Sequence, residues 1–218
     1  MKKSSLLAVI MVMALVLMSA CSSTTTTTST PSSDATIPDE ETPAPTAVDD
    51  EEALPDAETE KILVLYYSRT GTTETLANAI HGIVGGDILK IETVDLYDAS
   101  FEETVALVEQ QQAEGYKPPL ATEISDLAEY DIIILGSPIW YGNVSLPIET
   151  LLTEYDVSGK TIVPFVTHNG GGPEKSMETL KAYCPDATVL TGYDMMAENG
   201  VNEDEIRQWL NDAGIEVK

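Results

Sequence analysis

Very little in this 218-residue chain is basic: 11 Lys and Arg stand against 37 Asp and Glu, a formal charge of −26. Such a balance repels a phosphate backbone and argues against nucleic acid as a partner. Cysteine is nearly absent too. Cys21 lies near the start and Cys184 stands alone beyond it, before Pro185, so the rest of the chain has no internal disulfide and no zinc-type spacing. The apolar run near the start, Leu6 to Met18, has only thirteen residues, short of the roughly 18 to 20 that a membrane span needs. Also missing are G-x-x-x-x-G-K-[ST], G-x-S-x-G and a G-x-G-x-x-G turn after the first strand. Their absence argues against a P-loop nucleotidase, a hydrolase elbow and a dinucleotide turn.

What is present divides the chain into three. Lys2 and Lys3 precede the apolar run, which small Ser19 and Ala20 follow, and this succession predicts a signal peptide over residues 1–20. "LMSAC" resembles a bacterial lipobox, which implies that Cys21 is the lipidated first residue of an exported, membrane-anchored protein. An ordinary secretory signal with an incidental cysteine is the alternative. Residues 22–60 hold eleven acidic residues, five prolines, fifteen Ser or Thr and no Lys or Arg. Such a segment cannot bury a core and predicts a disordered, self-repelling linker, one able to reach on the order of 35 Å.

Residues 61–218 carry 26 acidic and 9 basic side chains, a balance of −17, and form one domain-sized unit. "KILVLYY", "GDILKIE", "YDIIILG", "KTIVPFV" and "ATVLTGY" read as strands. Helical spacing appears at Leu76, Ala77, Ile80, Ile83 and Val84, then over Phe101–Glu114, Ser145–Tyr155, Pro173–Ala182 and Asn202–Ala213. Strands alternating with helices predict an α/β fold with a doubly wound, five-stranded parallel sheet. Pro164 cannot donate a ladder hydrogen bond, so a bulge or irregular strand is expected there.

"SRTGTTE" joins the first strand to the first helix, the place where such sheets bind ligands. A helix N-terminus presents unpaired N–H groups, and Ser and Thr hydroxyls add donors, which makes a phosphate cradle. An N-cap at Thr73 followed by a helix explains the same residues equally well.

Ser68-Arg69-Thr70-Gly71-Thr72-Thr73 fits the pattern Ser/Thr-x-Thr-Gly-x-Thr and resembles the loop with which flavodoxins grip the phosphate of FMN. "GSPIWYGN" after the third strand and "THNGGG" after the fourth follow in the same order, and "EQQQAEGYKPPL" resembles a segment of exported flavodoxin-like reductases. The resemblance covers essentially all of residues 61–218. It implies a flavodoxin-like sheet of order 2-1-3-4-5 and FMN as cofactor. Pro138, Ile139, Trp140, Tyr141, Gly142 and Asn143 would line one side of the flavin. Trp140 or Tyr141 would stack on it, unless Trp140 is simply a core residue. Thr167, His168, Asn169, Gly170 and Gly171 would form the opposite wall.

Where classical flavodoxins place a stacking tyrosine, this sequence has His168, Asn169 and three glycines, so one ring face is expected to be open. His168 is a candidate proton donor or a loop-capping residue. Tyr116 and Lys117 are candidates to lean over the same opening. Three functions fit: a small extracytoplasmic FMN-dependent oxidoreductase acting on a nicotinamide or quinone, an electron carrier for a basic redox protein, and a flavin-free binding or sensing lipoprotein. No metal is implied.

Overall fold

The computed structural model describes residues 60–97 and 100–218. The predicted signal peptide, Cys21 and all of the linker except Glu60 lie outside the described residues. Strand β1 (Ile62–Tyr67) is followed by helix α1 (Thr72–Val84), β2 (Asp87–Ile91), α2 (Phe101–Glu114), β3 (Ile132–Trp140), the short β4 (Asn143–Val144), α3 (Leu146–Glu154), β5 (Thr161–His168), α4 (Glu174–Tyr183), β6 (Thr188–Val189), β7 (Tyr193–Met196) and α5 (Glu203–Asp212).

Why β1 and β3 read as unbroken apolar runs follows from their two covered faces. Leu63, Leu65 and Tyr67 alternate with Val64 and Tyr66 between two separate cores, as Ile133 and Leu135 alternate with Ile132 and Ile134. Helices α1 and α5 cover one face with Leu76, Ile80, Ile206 and Leu210. Helices α2, α3 and α4 cover the other with Val108, Ile148, Leu151 and Leu180. Ser100 and Glu103 form a capping box at the start of α2, and Gly115 closes it in the left-handed conformation, so the expected bounds of this helix hold.

The strands pair in parallel in the order β2-β1-β3-β5-β6, with β7 also beside β5 and β4 folded back antiparallel on β3. This is the order 2-1-3-4-5 with the fifth strand split in two. The split sits opposite Pro164. Pairing of β3 with β5 runs unbroken through Leu135 and Pro164. On the other side Ile162 faces Val189 but Phe165 faces Tyr193, so Leu190, Thr191 and Gly192 oppose only Val163 and Pro164. The irregularity expected in the proline strand is thus carried by its neighbour, where the missing N–H leaves the ladder incomplete. Trp209 donates its indole N–H to the Thr191 carbonyl at 2.9 Å, which satisfies a group freed by the break.

Cys184 is buried, and desolvation pushes its thiol up to about 11; it packs as a core residue.

Candidate functional site

Parallel pairing places the ends of β1, β3 and β5 on one edge of the sheet. Between β1 and β3 the chain departs in opposite directions, to β2 on one side and β5 on the other, which opens a crevice. Two adjoining hollows occupy it. One is polar, about 160 Å³, and includes Thr70, Thr72, Thr73, Thr167 and His168 in its walls. The other, about 340 Å³, is mainly apolar and is walled by Val105, Val108, Tyr141, Gly142 and Gly170 among others. Arg69, Phe101, Ile139, Trp140 and Asn169 line both.

At the polar end, Gly71 is the N-cap of α1 with φ 91°, a conformation that L side chains rarely adopt. Ser68 Oγ accepts the Gly71 N–H at 3.1 Å and holds the turn shut. The first intrahelical bond runs from Thr75 N–H to the Gly71 carbonyl at 2.9 Å. The N–H groups of Thr72, Thr73 and Glu74 therefore have no acceptor within the helix. Thr73 is not the cap: it is buried, and its hydroxyl shares a 2.8 Å hydrogen bond with Thr167, tying the first loop to the end of β5. Arg69 Nε donates to the Tyr97 carbonyl at 2.9 Å.

Trp140, by contrast, both packs against the core and lines the site. Its ring packs edge-on against Tyr67 at 5.5 Å and tilted against Tyr97 at 4.9 Å, while it also faces both hollows. Burial pushes the Tyr97 hydroxyl up to about 12, with neighbouring Tyr116 and Asp95 adding to the shift. Tyr141 and Gly142 stand at φ 50° and 74°, as in a two-residue hairpin of type I′, and Tyr141 is the one non-glycine residue at positive φ among the described residues. Its hydroxyl donates to the Val105 carbonyl at 3.0 Å, which swings the ring toward α2.

The opposite side is a glycine loop, of which Asn169 lines both hollows and Gly170 the apolar one. Gly170, Gly171 and Gly172 all have positive φ, and an added Cβ at Gly170 or Gly171 would meet nothing within 4 Å. That side of the crevice stays without bulk. His168 is buried and fully engaged: Nδ1 accepts the Gly170 N–H at 3.1 Å, so the ring proton belongs on Nε2, which faces Asp194 Oδ2 at 3.2 Å. Its ring holds the glycine loop to β7.

Several expected residues lie apart from the two hollows. Ser68 is spent within its own turn. Asn143 directs its amide to Glu149 at 3.3 Å, and Gly171 lines neither hollow. Tyr116 donates to Asp95 and Lys117 to Glu149, so neither leans over the opening. Phe101, Thr104, Val105 and Val108 of α2 take that place. Phe101 at the predicted start of α2 was the one sequence hint of this, an apolar residue on an otherwise polar first turn, and in the structure it is 65 % exposed. Among the described residues there is no cluster of acids, histidines or cysteines able to hold a metal, and no helix is long and apolar enough to cross a membrane.

A polar cleft with open N–H groups, continuous with an apolar slot floored by Trp140, fits a planar heterocycle carrying a phosphate tail. The comparisons agree. A family model described as flavodoxin matches residues 61–213. The chain is similar to a Bacteroides eggerthii protein assigned to the flavoproteins, with 28% identity and a TM-score of 0.65 over 72% of this chain and 100% of that one. It is also similar to a Lactobacillus acidophilus flavoprotein solved in complex with FMN, with 25% identity and a TM-score of 0.56 over 69% and 99% of the two chains. A third relative, NAD(P)H dehydrogenase (quinone) of Chromohalobacter salexigens, is 39% identical over 95 residues, which span 39% of this chain and 42% of that protein's length. The chain belongs to the flavodoxin family.

Proposed function

We propose that this domain is a small FMN-dependent oxidoreductase that exchanges electrons directly with a nicotinamide or a quinone. The observation that carries it is the wall of the apolar hollow at Gly170, where no side chain projects and an added Cβ would meet open space. FMN supplies the electron and hydride chemistry when bound. The chain supplies the rest. Thr72, Thr73 and Glu74 offer N–H groups at the positive end of α1, and Thr70 and Thr72 add hydroxyls, so a phosphate dianion is held by fixed dipoles in a domain of net charge −17. Ile139 and Trp140 give the ring an apolar floor that excludes water on one side. The name of the Chromohalobacter relative supports a quinone as acceptor. We further propose export and attachment to the cell membrane through lipid on Cys21, read from the lipobox-like "LMSAC".

An acidic surface favours the second reading, an electron carrier for a basic protein, because it steers such encounters. Stopped-flow reduction of the FMN-loaded protein separates the two. Direct reduction by a nicotinamide or reoxidation by a quinone, unaffected by a protein donor, is the expected result. Reduction seen only with a basic protein donor, and lost when salt screens it, would replace the enzyme with the carrier. Intact mass of the protein purified from its own membrane would show the lipid on Cys21, and an unmodified N-terminus would remove the tether.

A further inference from the structure

The apolar slot depends on a hairpin that is awkward to build. Trp140 pairs with Asn143 across the turn, and between them Tyr141 holds a backbone conformation that residues with a Cβ avoid. Such a turn persists only when its surroundings over-determine it. Beneath the hairpin, in the first turns of α3, lies the carboxylate of Glu149, whose side chain is only 11% exposed. Both of its oxygens are taken. Oε1 accepts from the Asn143 amide at 3.3 Å, and Oε2 accepts from Lys117 and, at 3.2 Å, from the Tyr183 hydroxyl. Lys117 also donates to the Tyr183 oxygen at 3.0 Å and lies 5.5 Å from the centre of its ring. Asn143 in turn accepts its neighbour's Val144 N–H on its other side-chain atom at 2.9 Å, so its amide has one orientation.

Resting on the FMN reading, we propose that Glu149, aimed by Lys117 and Tyr183, is a positioning residue that clamps the Trp140–Asn143 hairpin in the shape the flavin ring meets. A buried ion pair adds little net stability over apolar residues of similar size, but it fixes direction. Here the direction is toward Asn143. Burial draws the Lys117 ammonium down, and its bonds to Glu149 and Tyr183 outweigh that, leaving its pKa raised. Lys117 thus stays charged at neutral pH and keeps its donors on Glu149, whose other oxygen accepts from the hairpin. None of these three residues lines either hollow, so their influence on the ring runs through Asn143.

Two double variants of the whole protein test this. Lys117→Met with Glu149→Gln removes the charges yet keeps an oxygen for Asn143, whereas Lys117→Met with Glu149→Leu removes the acceptor. The Leu pair should weaken FMN and riboflavin alike by about tenfold, the worth of one such hydrogen bond, because the defect lies at the ring and not at the phosphate. The Gln pair should bind within about twofold of the parent by the same reckoning. In the flavin-free protein, acrylamide should quench Trp140 more readily in the Leu pair only. Asn143→Ala, which leaves the ion pair whole, should match the Leu pair and add nothing to it, and it serves if the Leu pair does not fold. Equal flavin affinity and equal quenching in both pairs, or in Asn143→Ala and the parent, would overturn the clamp. A parent that binds no flavin, with the quenching contrast intact, would sink the FMN reading and leave the clamp standing.

Discussion

Thr72→Asp should weaken FMN at least about a hundredfold, equivalent to about 2.7 kcal/mol, while changing riboflavin affinity far less and leaving the flavin-free fold slightly more stable than the parent. Thr72 is the first residue of α1 and lines the polar hollow, where its N–H has no intrahelical acceptor. A carboxylate there occupies the positive end of the helix, which favours the fold by roughly 0.3–1 kcal/mol. The same charge repels a phosphate dianion by roughly 4 kcal/mol per unit charge at 4 Å under an effective dielectric of 20. Opposite signs for folding and binding make the variant informative. Isothermal titration with the two flavins, beside a thermal melt, reads both. Equal losses for FMN and riboflavin would show that the loop shapes the helix and does not receive the phosphate.

Gly136→Val should be the most damaging single change in the sheet. Gly136 lies in β3 opposite Phe165 of β5, and a Cβ placed on it would overlap the Phe165 ring. That ring is among the largest fully buried side chains and touches no solvent, so it has nowhere to turn without disturbing the core under α1. Overpacking of this kind costs typically 1–3 kcal/mol and occasionally more, so a loss of about 3 kcal/mol is expected. In a domain of this size that corresponds to a fall in Tm of roughly 6 to 12 °C. Phe165→Leu in the same chain should restore part of the loss by clearing the space. A melt unchanged by Gly136→Val would mean that β3 and β5 are less tightly joined than their continuous register implies.

These two sites also show how much of the molecule could be read beforehand. The buried strands were legible because β1 and β3 face a core on both sides and carry almost nothing polar. The loop between β1 and α1 was legible as the turn at the sheet's ligand-binding edge, although its residue types alone fit a helix cap as well as a phosphate cradle. What escaped were choices made in three dimensions. Thr73 has the chemistry of a cap, yet it lies opposite Thr167, ninety-four positions away, and pairs with that hydroxyl instead. Pro164 signalled a defect in its own strand, and the defect appears in the strand beside it, because the missing donor matters only where a partner needs it. Lys117 looked like a loop cation free to reach the flavin, and a carboxylate buried under the hairpin holds it. For His168 the sequence left a proton donor and a loop cap open, and the ring caps the glycine loop, with its nitrogens engaged by Gly170 and Asp194. Helix α2 was located correctly, but periodicity could not say that Phe101, Val105 and Val108 would wall the apolar slot.

The claim on which the rest depends is that the two hollows at the ends of β1, β3 and β5 receive one FMN. Calorimetric titration of the purified, flavin-free protein tests it most directly. One FMN per chain, bound more tightly than riboflavin, with the flavin absorbance spectrum appearing on the protein, is the predicted result. No heat and no bound chromophore at saturating FMN would contradict it.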